Sequence, residues 1–211
     1  MSTDQDVQQV FVIDDDADVR DSLKWLLESV GLNVVTFENA LDFIDSLSSD
    51  VSGCIVMDVR MPGMSGINAQ KKLSELDIDL PLIMISAHGN VDMAVTALTQ
   101  GALTFIEKPF DDQVLIDHVH TALEKERIRM ARRNAQSRMQ SRYDSLTRRE
   151  KQVMGLIVQG LSNQEAADEL GINRKTVEGH RAHMMAKMKV DSLAELVQIA
   201  ITLGLVETVE E

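Results

Sequence analysis

Three consecutive aspartates, Asp14, Asp15 and Asp16, follow the apolar run "VFVI". Carboxylates at that density repel one another and resist burial, so a cation must share their space. A second apolar run, "GCIVMD", ends on Asp58, a third, "PLIMIS", on Ser86, and "LTFIE" runs directly into Lys108. These residue types suit phosphoryl transfer. A carboxylate can act as nucleophile and carry the phosphoryl group as an acyl phosphate. The equatorial phosphoryl oxygens then need positive charge and hydrogen-bond donors. Mg²⁺ takes oxygen ligands, keeps several waters and is commonly held by one or two carboxylates beside phosphate. Asp14, Asp15 and Asp58 would supply side-chain oxygens and Arg60 a backbone carbonyl, with Mn²⁺ as a possible substitute for Mg²⁺. The Lys108 ammonium and the Ser86 hydroxyl would meet the remaining phosphoryl oxygens.

Such groups act together only if the chain brings strand ends into one crevice. The first part of the sequence alternates short apolar runs with helical patterns. "VFVI", "NVVTF", "GCIVMDV", "PLIMIS" and "LTFIE" read as strands. The intervening segments, and one from about Asp111, read as helices with apolar residues at helical spacing. "GCIVMDV" is apolar throughout, as a central parallel strand covered on both faces should be. Five strands alternating with five helices predict an α/β fold with a doubly wound, parallel five-stranded sheet. In that class the working crevice lies beyond the carboxyl ends of the strands. Asp14, Asp15, Asp58, Ser86 and Lys108 all stand where a strand has just ended.

Charge divides the chain. The 211 residues carry a net charge of −13. Residues 1–124 hold 22 acidic and 6 basic residues, whereas residues 125–211 hold 15 basic and 12 acidic ones. An acidic front and a basic rear predict two domains, with a polyanion as partner of the rear one. The expected boundaries are 1–124, a helical linker over 125–143, and 144–211. The linker, "KERIRMARRNAQSRMQSRY", lacks Pro and Gly and should continue the fifth helix, exposed on most faces.

The rear reads as four helices. Ser145 or Thr147 would cap the first, and Thr147 with Glu150 has capping-box spacing. Ser162 and Gly171 bracket "NQEAADEL"; after a tight turn Asn173 caps "RKTVEGHRAHMMAKM"; "SLAELVQIAITLG" closes the set. Two short helices around a Gly-containing turn, the second one basic, form a helix-turn-helix pattern. At ~100° per residue, Val177, Met184 and Met188 share the core face of the second helix. Lys175, Gly179, Ala182 and Ala186 face outward. A narrow outer face of small residues lets a helix sit deep in a major groove. Arg174, Lys175, Thr176, Arg181 and Lys187 are candidate phosphate contacts. Glu178 would either accept from a cytosine amino group or pair with a neighbouring arginine.

"VIDDD", "VMDVRMPGMSG", "IMISAHG" and "FIEKPF" together resemble the motif set of response-regulator receiver domains, over about the first 120 residues. The resemblance implies a flavodoxin-like fold and gives roles by position. Asp58 matches the phosphoacceptor, Asp14 and Asp15 the acidic pair, Ser86 the switch hydroxyl and Phe105 the switch aromatic. Lys108 matches the invariant lysine, and the Lys108–Pro109 bond is expected to be cis. "LTRREKQVMGLIVQGLSNQEAADELGINRKTVEGHRAHMMAKM" resembles the LuxR-type helix-turn-helix, with base contacts matching Glu178, Gly179 and Ala182. The whole chain thus resembles FixJ/NarL-type response regulators. That implies a cytoplasmic transcription regulator phosphorylated by a cognate histidine kinase. It would dimerise on phosphorylation through its fourth helix, fifth strand and fifth helix, and bind a two-fold double-stranded DNA operator.

The same residues admit two other readings. An aspartyl-nucleophile phosphohydrolase would need an acid–base carboxylate two residues after Asp58, where Arg60 stands. Only self-phosphorylation and slow self-dephosphorylation are therefore expected. A receiver-controlled protein-interaction module with weak or vestigial DNA binding is the other alternative. No run approaches the ~20 apolar residues of a membrane span, and the start, "MSTDQDVQQ", is unlike a secretory signal. The single cysteine, Cys54, reads as a buried strand thiol in a reducing compartment. Asp16 and Asp18 read as helix-start acids, Trp25 as core beside Leu23, Leu26 and Leu27, and His88 as an exposed loop residue.

Overall fold

A computed structural model describes residues 8–48, 51–87 and 91–206. The chain divides into two compact units between residues 130 and 131. In the first, the strands are β1 (Gln9–Ile13), β2 (Asn33–Phe37), β3 (Gly53–Asp58), β4 (Leu82–Ser86) and β5 (Thr104–Glu107). Between them run α1 (Ala17–Ser29), α2 (Ala40–Ser46), α3 (Gly66–Glu75) and α4 (Val91–Thr99), followed by α5 (Asp112–Asp144). The sheet is parallel throughout, in the order β2-β1-β3-β4-β5.

Alternating side chains on β1, β3 and β4 build two apolar layers. Phe11, Ile13, Ile55, Met57, Leu82 and Met84 meet Phe43 of α2, Leu73 of α3 and Ala97 of α4. Val10, Val12, Cys54, Val56, Ile83 and Ile85 meet Leu23 and Leu27 of α1 and Leu115 and Val119 of α5. Both faces of the sheet are thus covered, which is why the central strands are apolar at every position. Phe43 also packs its ring against Phe11 and Phe37, at centroid distances of 5.4 and 5.3 Å. Cys54 is fully buried, and that burial pushes its thiol pKa up to about 12. At ordinary pH it is inert as a nucleophile.

Trp25 departs from expectation. It is 74% exposed, whereas Leu23 and Leu27 are buried. Leu23 and Leu27 are four residues apart and share the inward face; Trp25, two residues from each, is turned ~200° away from it. The apolar cluster "LKWLL" is therefore wider than the core stripe. Asp16 is the N-cap of α1 and accepts from the Asp18 and Val19 amides. His88 lies outside the described residues.

The 125–143 segment belongs to α5, which is continuous over Asp112–Asp144. Glu126, expected on an exposed linker, is buried, and Arg129 donates to both its carboxylate oxygens at 2.7 and 2.9 Å. Met139 and Tyr143 near the end of the helix pack on the core of the second unit.

That second unit holds α6 (Arg148–Val158), α7 (Asn163–Leu170), α8 (Arg174–Met188) and α9 (Leu193–Thr202). Thr147, Ser162, Asn173 and Ser192 cap them, and the pairs Thr147–Glu150 and Ser162–Glu165 complete capping boxes. Gly171 ends α7 in the left-handed region at φ +63°, a conformation that lets the chain turn sharply into α8 at little cost. Val177, Met184 and Met188 are buried as the wheel predicts, against Val153, Met154 and Ile157 of α6 and Leu196 and Ala200 of α9. Among the described residues no helix is long and apolar enough to cross a membrane.

Leu27→Ala should destabilise the first unit by about 2–5 kcal/mol through lost burial and a residual cavity. Trp25→Ala should stay within about 0.5 kcal/mol of the parent. Urea unfolding of both variants compares the two directly.

Candidate functional site

The order of strands places two carboxylates side by side. From β1 the chain moves outward to β2 and then back across to β3, so β1 and β3 are neighbours at the point where the winding reverses. Asp14 follows the last residue of β1, its amide donating to Phe37 O at 3.2 Å, and Asp58 is the last residue of β3. Both are almost enclosed, at 2% and 6% exposure.

Lys108, just past β5, lies between them. Its Nζ donates to Asp14 Oδ2 at 2.7 Å and to Asp58 Oδ1 at 2.8 Å. The Lys108 amide donates to Ser86 O at 2.9 Å, tying the ends of β4 and β5 together, and the Lys108–Pro109 bond is cis. Burial works against the ammonium, but the two carboxylate hydrogen bonds outweigh it and raise its pKa above the ordinary lysine value. The cation therefore persists throughout the neutral range.

The other carboxylate oxygens receive backbone donors. Asp14 Oδ1 accepts from the Asp16 amide at 3.0 Å, and Asp58 Oδ2 from the Arg60 amide at 2.6 Å. Asp15 and Arg60 are exposed, Ser86 is buried, and Phe105 is half-buried against the apolar layer of α2, α3 and α4. Two residues join this site without having been singled out. Arg20 donates from Nη1 to Asp14 O at 2.7 Å, its position in "DDDADVR" one helical turn past the N-cap being the only signal. Gly66 opens α3 directly behind Asp58: a Cβ there would lie 2.5 Å from Asp58 O. Its amide donates to Val59 O at 2.9 Å. The "MSG" before the helix marks a glycine, but only the fold shows the close approach.

The donor set for a cation is all oxygen, as Mg²⁺ requires. Two enclosed carboxylates share one ammonium and Asp15 adds a third negative charge, so the crevice is short of positive charge. Among the described residues no three acidic, histidine or cysteine groups form a ready-made metal cluster.

In the rear unit α8 presents Arg174, Lys175, Thr176, Glu178, Gly179 and Ala182 to solvent, with Arg181 half-buried. Open space surrounds the missing side chain of Gly179. Several polar groups on this helix are already engaged. Arg174 donates to Glu178 Oε1 at 2.9 Å, one of the two partners expected for Glu178. Thr176 donates through its amide and hydroxyl to Asn173 Oδ1, and Arg181 donates to Asn163 Oδ1 of α7 at 2.9 Å. Lys187 donates to the buried Glu150 at 2.7 Å. Lys175 alone of these four cations has no side-chain acceptor among the described residues.

Residues 10–120 match the family described as "Response regulator receiver domain", and residues 144–200 match "Bacterial regulatory proteins, luxR family". The chain is a LuxR-type response regulator. It is 43% identical over 196 residues to Nodulation protein W of Bradyrhizobium diazoefficiens, covering 93% of this chain and 86% of that protein. It is 44% identical to the transcriptional regulatory protein FixJ of Azorhizobium caulinodans, covering 92% of each. Among solved structures, the response regulator StyR matches with a TM-score of 0.86 and 42% identity, over 92% of this chain and 98% of that one. The response regulator therefore joins a receiver to a LuxR-type DNA-binding domain and acts in transcription, not as an enzyme of metabolism.

Glu150 supplies a pH test of the regulator's second unit. Lys187 first, then the Thr147 amide and hydroxyl, hold its carboxyl down to about 2 against an ordinary 4.5. A depressed carboxyl stabilises the fold fully above about pH 4.5, and this contribution is lost as pH falls toward 2. Glu150→Gln should lower stability near neutral pH by about 1–2 kcal/mol. It should also flatten the loss of stability between those two values in a urea titration against pH.

Proposed function

We propose that this response regulator is phosphorylated on Asp58 by a cognate histidine kinase in a Mg²⁺-dependent reaction. Phosphorylation would promote dimerisation and operator binding in the cytoplasm. The observation that carries the reading is the Lys108 ammonium, 2.7 Å from Asp14 and 2.8 Å from Asp58 in one enclosed crevice.

In the proposed reaction an Asp58 carboxylate oxygen attacks the phosphorus of a phosphohistidine. The P–N bond breaks, and the imidazole leaves with the electron pair. Asp14, Asp15, Asp58 and the Arg60 carbonyl are the residues that would hold Mg²⁺, which when bound supplies positive charge to the phosphoryl oxygens. Lys108 then exchanges one carboxylate partner for a phosphoryl oxygen, and the Ser86 hydroxyl donates to another. Phe105 adjusts with it, since it already lies half-buried beside β4. Because Asp58 Oδ2 accepts from the Arg60 amide, that donor orients the carboxylate before attack. The Arg60 side chain offers no general base, so hydrolysis of the acyl phosphate stays slow.

Dimerisation through α4, β5 and α5 is supported by an apolar stripe on α4. Val91, Val95 and Leu98 are all exposed and recur at helical spacing. For DNA, α8 would enter the major groove with Gly179 and Ala182 leading and Glu178 beside them. Lys175, Thr176, Arg174, Arg181 and Lys187 would lie toward the phosphates. The pairing of Lys187 with Glu150 and of Arg181 with Asn163 leaves Lys175 as the foremost phosphate contact.

Asp58→Asn should abolish labelling by a small acyl phosphate with Mg²⁺; label retained on the variant, read by intact mass, would refute Asp58 as acceptor. Lys175→Ala should weaken binding to an operator fragment and reduce the slope of log affinity against log salt by about 1. An unchanged slope would remove Lys175 from the phosphate contacts.

A further inference from the structure

Arg20 touches the Asp14–Asp58 crevice yet has no part in the proposed reaction, and its place in α1 is unfavourable. It stands at the end of the first turn, its amide donating to the N-cap carbonyl, Asp16 O, at 3.0 Å. The helix dipole favours acids such as Asp18 at that end and opposes a cation. A charge held there needs a compensating contact. Side chains on a helix lean back toward its amino end, so a long one at this position overhangs the turn that enters the helix. Half-buried Arg20 does so, and its Nη1 donates to Asp14 O at 2.7 Å.

That carbonyl is the pivot of the loop. Asp14 is fixed elsewhere by its amide on Phe37 O at 3.2 Å, by Oδ1 on the Asp16 amide at 3.0 Å and by Oδ2 on Lys108 at 2.7 Å. Its carbonyl follows the last paired residue of β1, Ile13, and so lies past the ladder. A peptide unit is planar, so the Asp14 carbonyl and the Asp15 amide turn together. A guanidinium on the carbonyl therefore sets the direction in which the chain leaves toward Asp15. Asp15 is exposed, and its carboxylate has no hydrogen bond or ion pair among the described residues. Its aim comes from the backbone, and Arg20 holds that backbone. Water would also satisfy the carbonyl, yet an exchanging water leaves the plane free to rock.

We infer that Arg20 is a positioning residue for the cation site: it holds the Asp14–Asp15 peptide so that the Asp15 carboxylate joins Asp14 and Asp58 in holding the Mg²⁺ of the proposed reaction, on whose binding this role depends. Charge and position act in opposite senses here. As a cation, Arg20 repels Mg²⁺. As a clamp on the loop, it favours the ion by removing freedom that Asp15 would otherwise lose on binding. Deleting the side chain therefore tightens Mg²⁺ binding if repulsion dominates and weakens it if orientation does. Orientation is the larger effect, because the guanidinium faces a carbonyl oxygen and is partly solvated, which screens its field.

The test is titration of the unphosphorylated full chain with Mg²⁺, followed at the Asp15, Asp58 and Arg60 backbone amides by two-dimensional NMR, a readout independent of phosphoryl transfer. Arg20→Ala should weaken Mg²⁺ binding about fivefold, the scale of one lost hydrogen bond. Amide shifts of β3 and β4 in the ion-free variant should stay unchanged, which shows that the fold persists. Arg20→Lys keeps the charge and a donor on a long stem, and should recover part of the lost affinity. Should Arg20→Ala not fold, Arg20→Met gives the second readout: it keeps an unbranched apolar stem but donates nothing, and should show the same loss. Unchanged or tighter binding in the Ala and Met variants, or no recovery with Lys, would overturn the role of Arg20 and leave the Mg²⁺ site standing. A parent chain whose amides show no saturable shift with Mg²⁺ overturns both, so the two failures are distinguishable.

Discussion

One ammonium between two enclosed carboxylates governs the receiver. Lys108 has to reach Asp58 across one intervening strand and Asp14 across two, since β4 and β3 separate β5 from β1. Strands are spaced ~4.8 Å apart, so a long unbranched stem ending in a compact charge is the side chain that can do this. The arrangement explains why the sheet must close in this order, why β1 and β3 lie together at the reversal, and why Gly66 must let α3 approach Asp58 from behind. One ammonium between two buried carboxylates, with Asp15 beside them and the Arg20 guanidinium engaged at the Asp14 carbonyl, leaves the crevice with more negative than positive charge. That deficit is what makes it receptive to a divalent cation and then to a phosphoryl group.

The DNA-binding unit contains the contrasting case. Glu150 is also a buried carboxylate approached by a lysine, Lys187 at 2.7 Å. There the Thr147 amide and hydroxyl donate to the same Oε2 as the lysine, so one charge meets one charge. A carboxylate matched one to one by a lysine holds two helices together, whereas two carboxylates that share one ammonium keep negative charge for a ligand. The same logic separates Lys175, which has no side-chain acceptor among the described residues, from Lys187, which is already committed to the fold.

Between these units α5 runs unbroken from Asp112 to Asp144. Its weakly patterned stretch from Lys125 reads as solvated helix, yet Glu126 is buried with Arg129 as partner. An ion pair inside a helix made of Arg, Gln and Glu shows how little the sign of a residue alone says about its exposure.

Much of the architecture was legible from local pattern. Strand runs, helix caps at Thr147, Ser162 and Asn173, and the inward face of α8 follow from periodicity and from the needs of unpaired helix-end amides, which are short-range physics. The chemistry of Asp58 and Lys108 was legible because charged groups at strand ends are costly without a shared purpose. Trp25 departs from the core reading because a cluster of apolar letters fixes no angle until helical phase is applied residue by residue. The close approach of Gly66 to Asp58 and the hydrogen bond from Gln70 to Ala97 O of α4 were decided only by tertiary structure. Each depends on where a neighbouring element packs, which a residue's type and spacing do not encode, whereas the Arg20 and Glu178 contacts are made within one or two helical turns and are local.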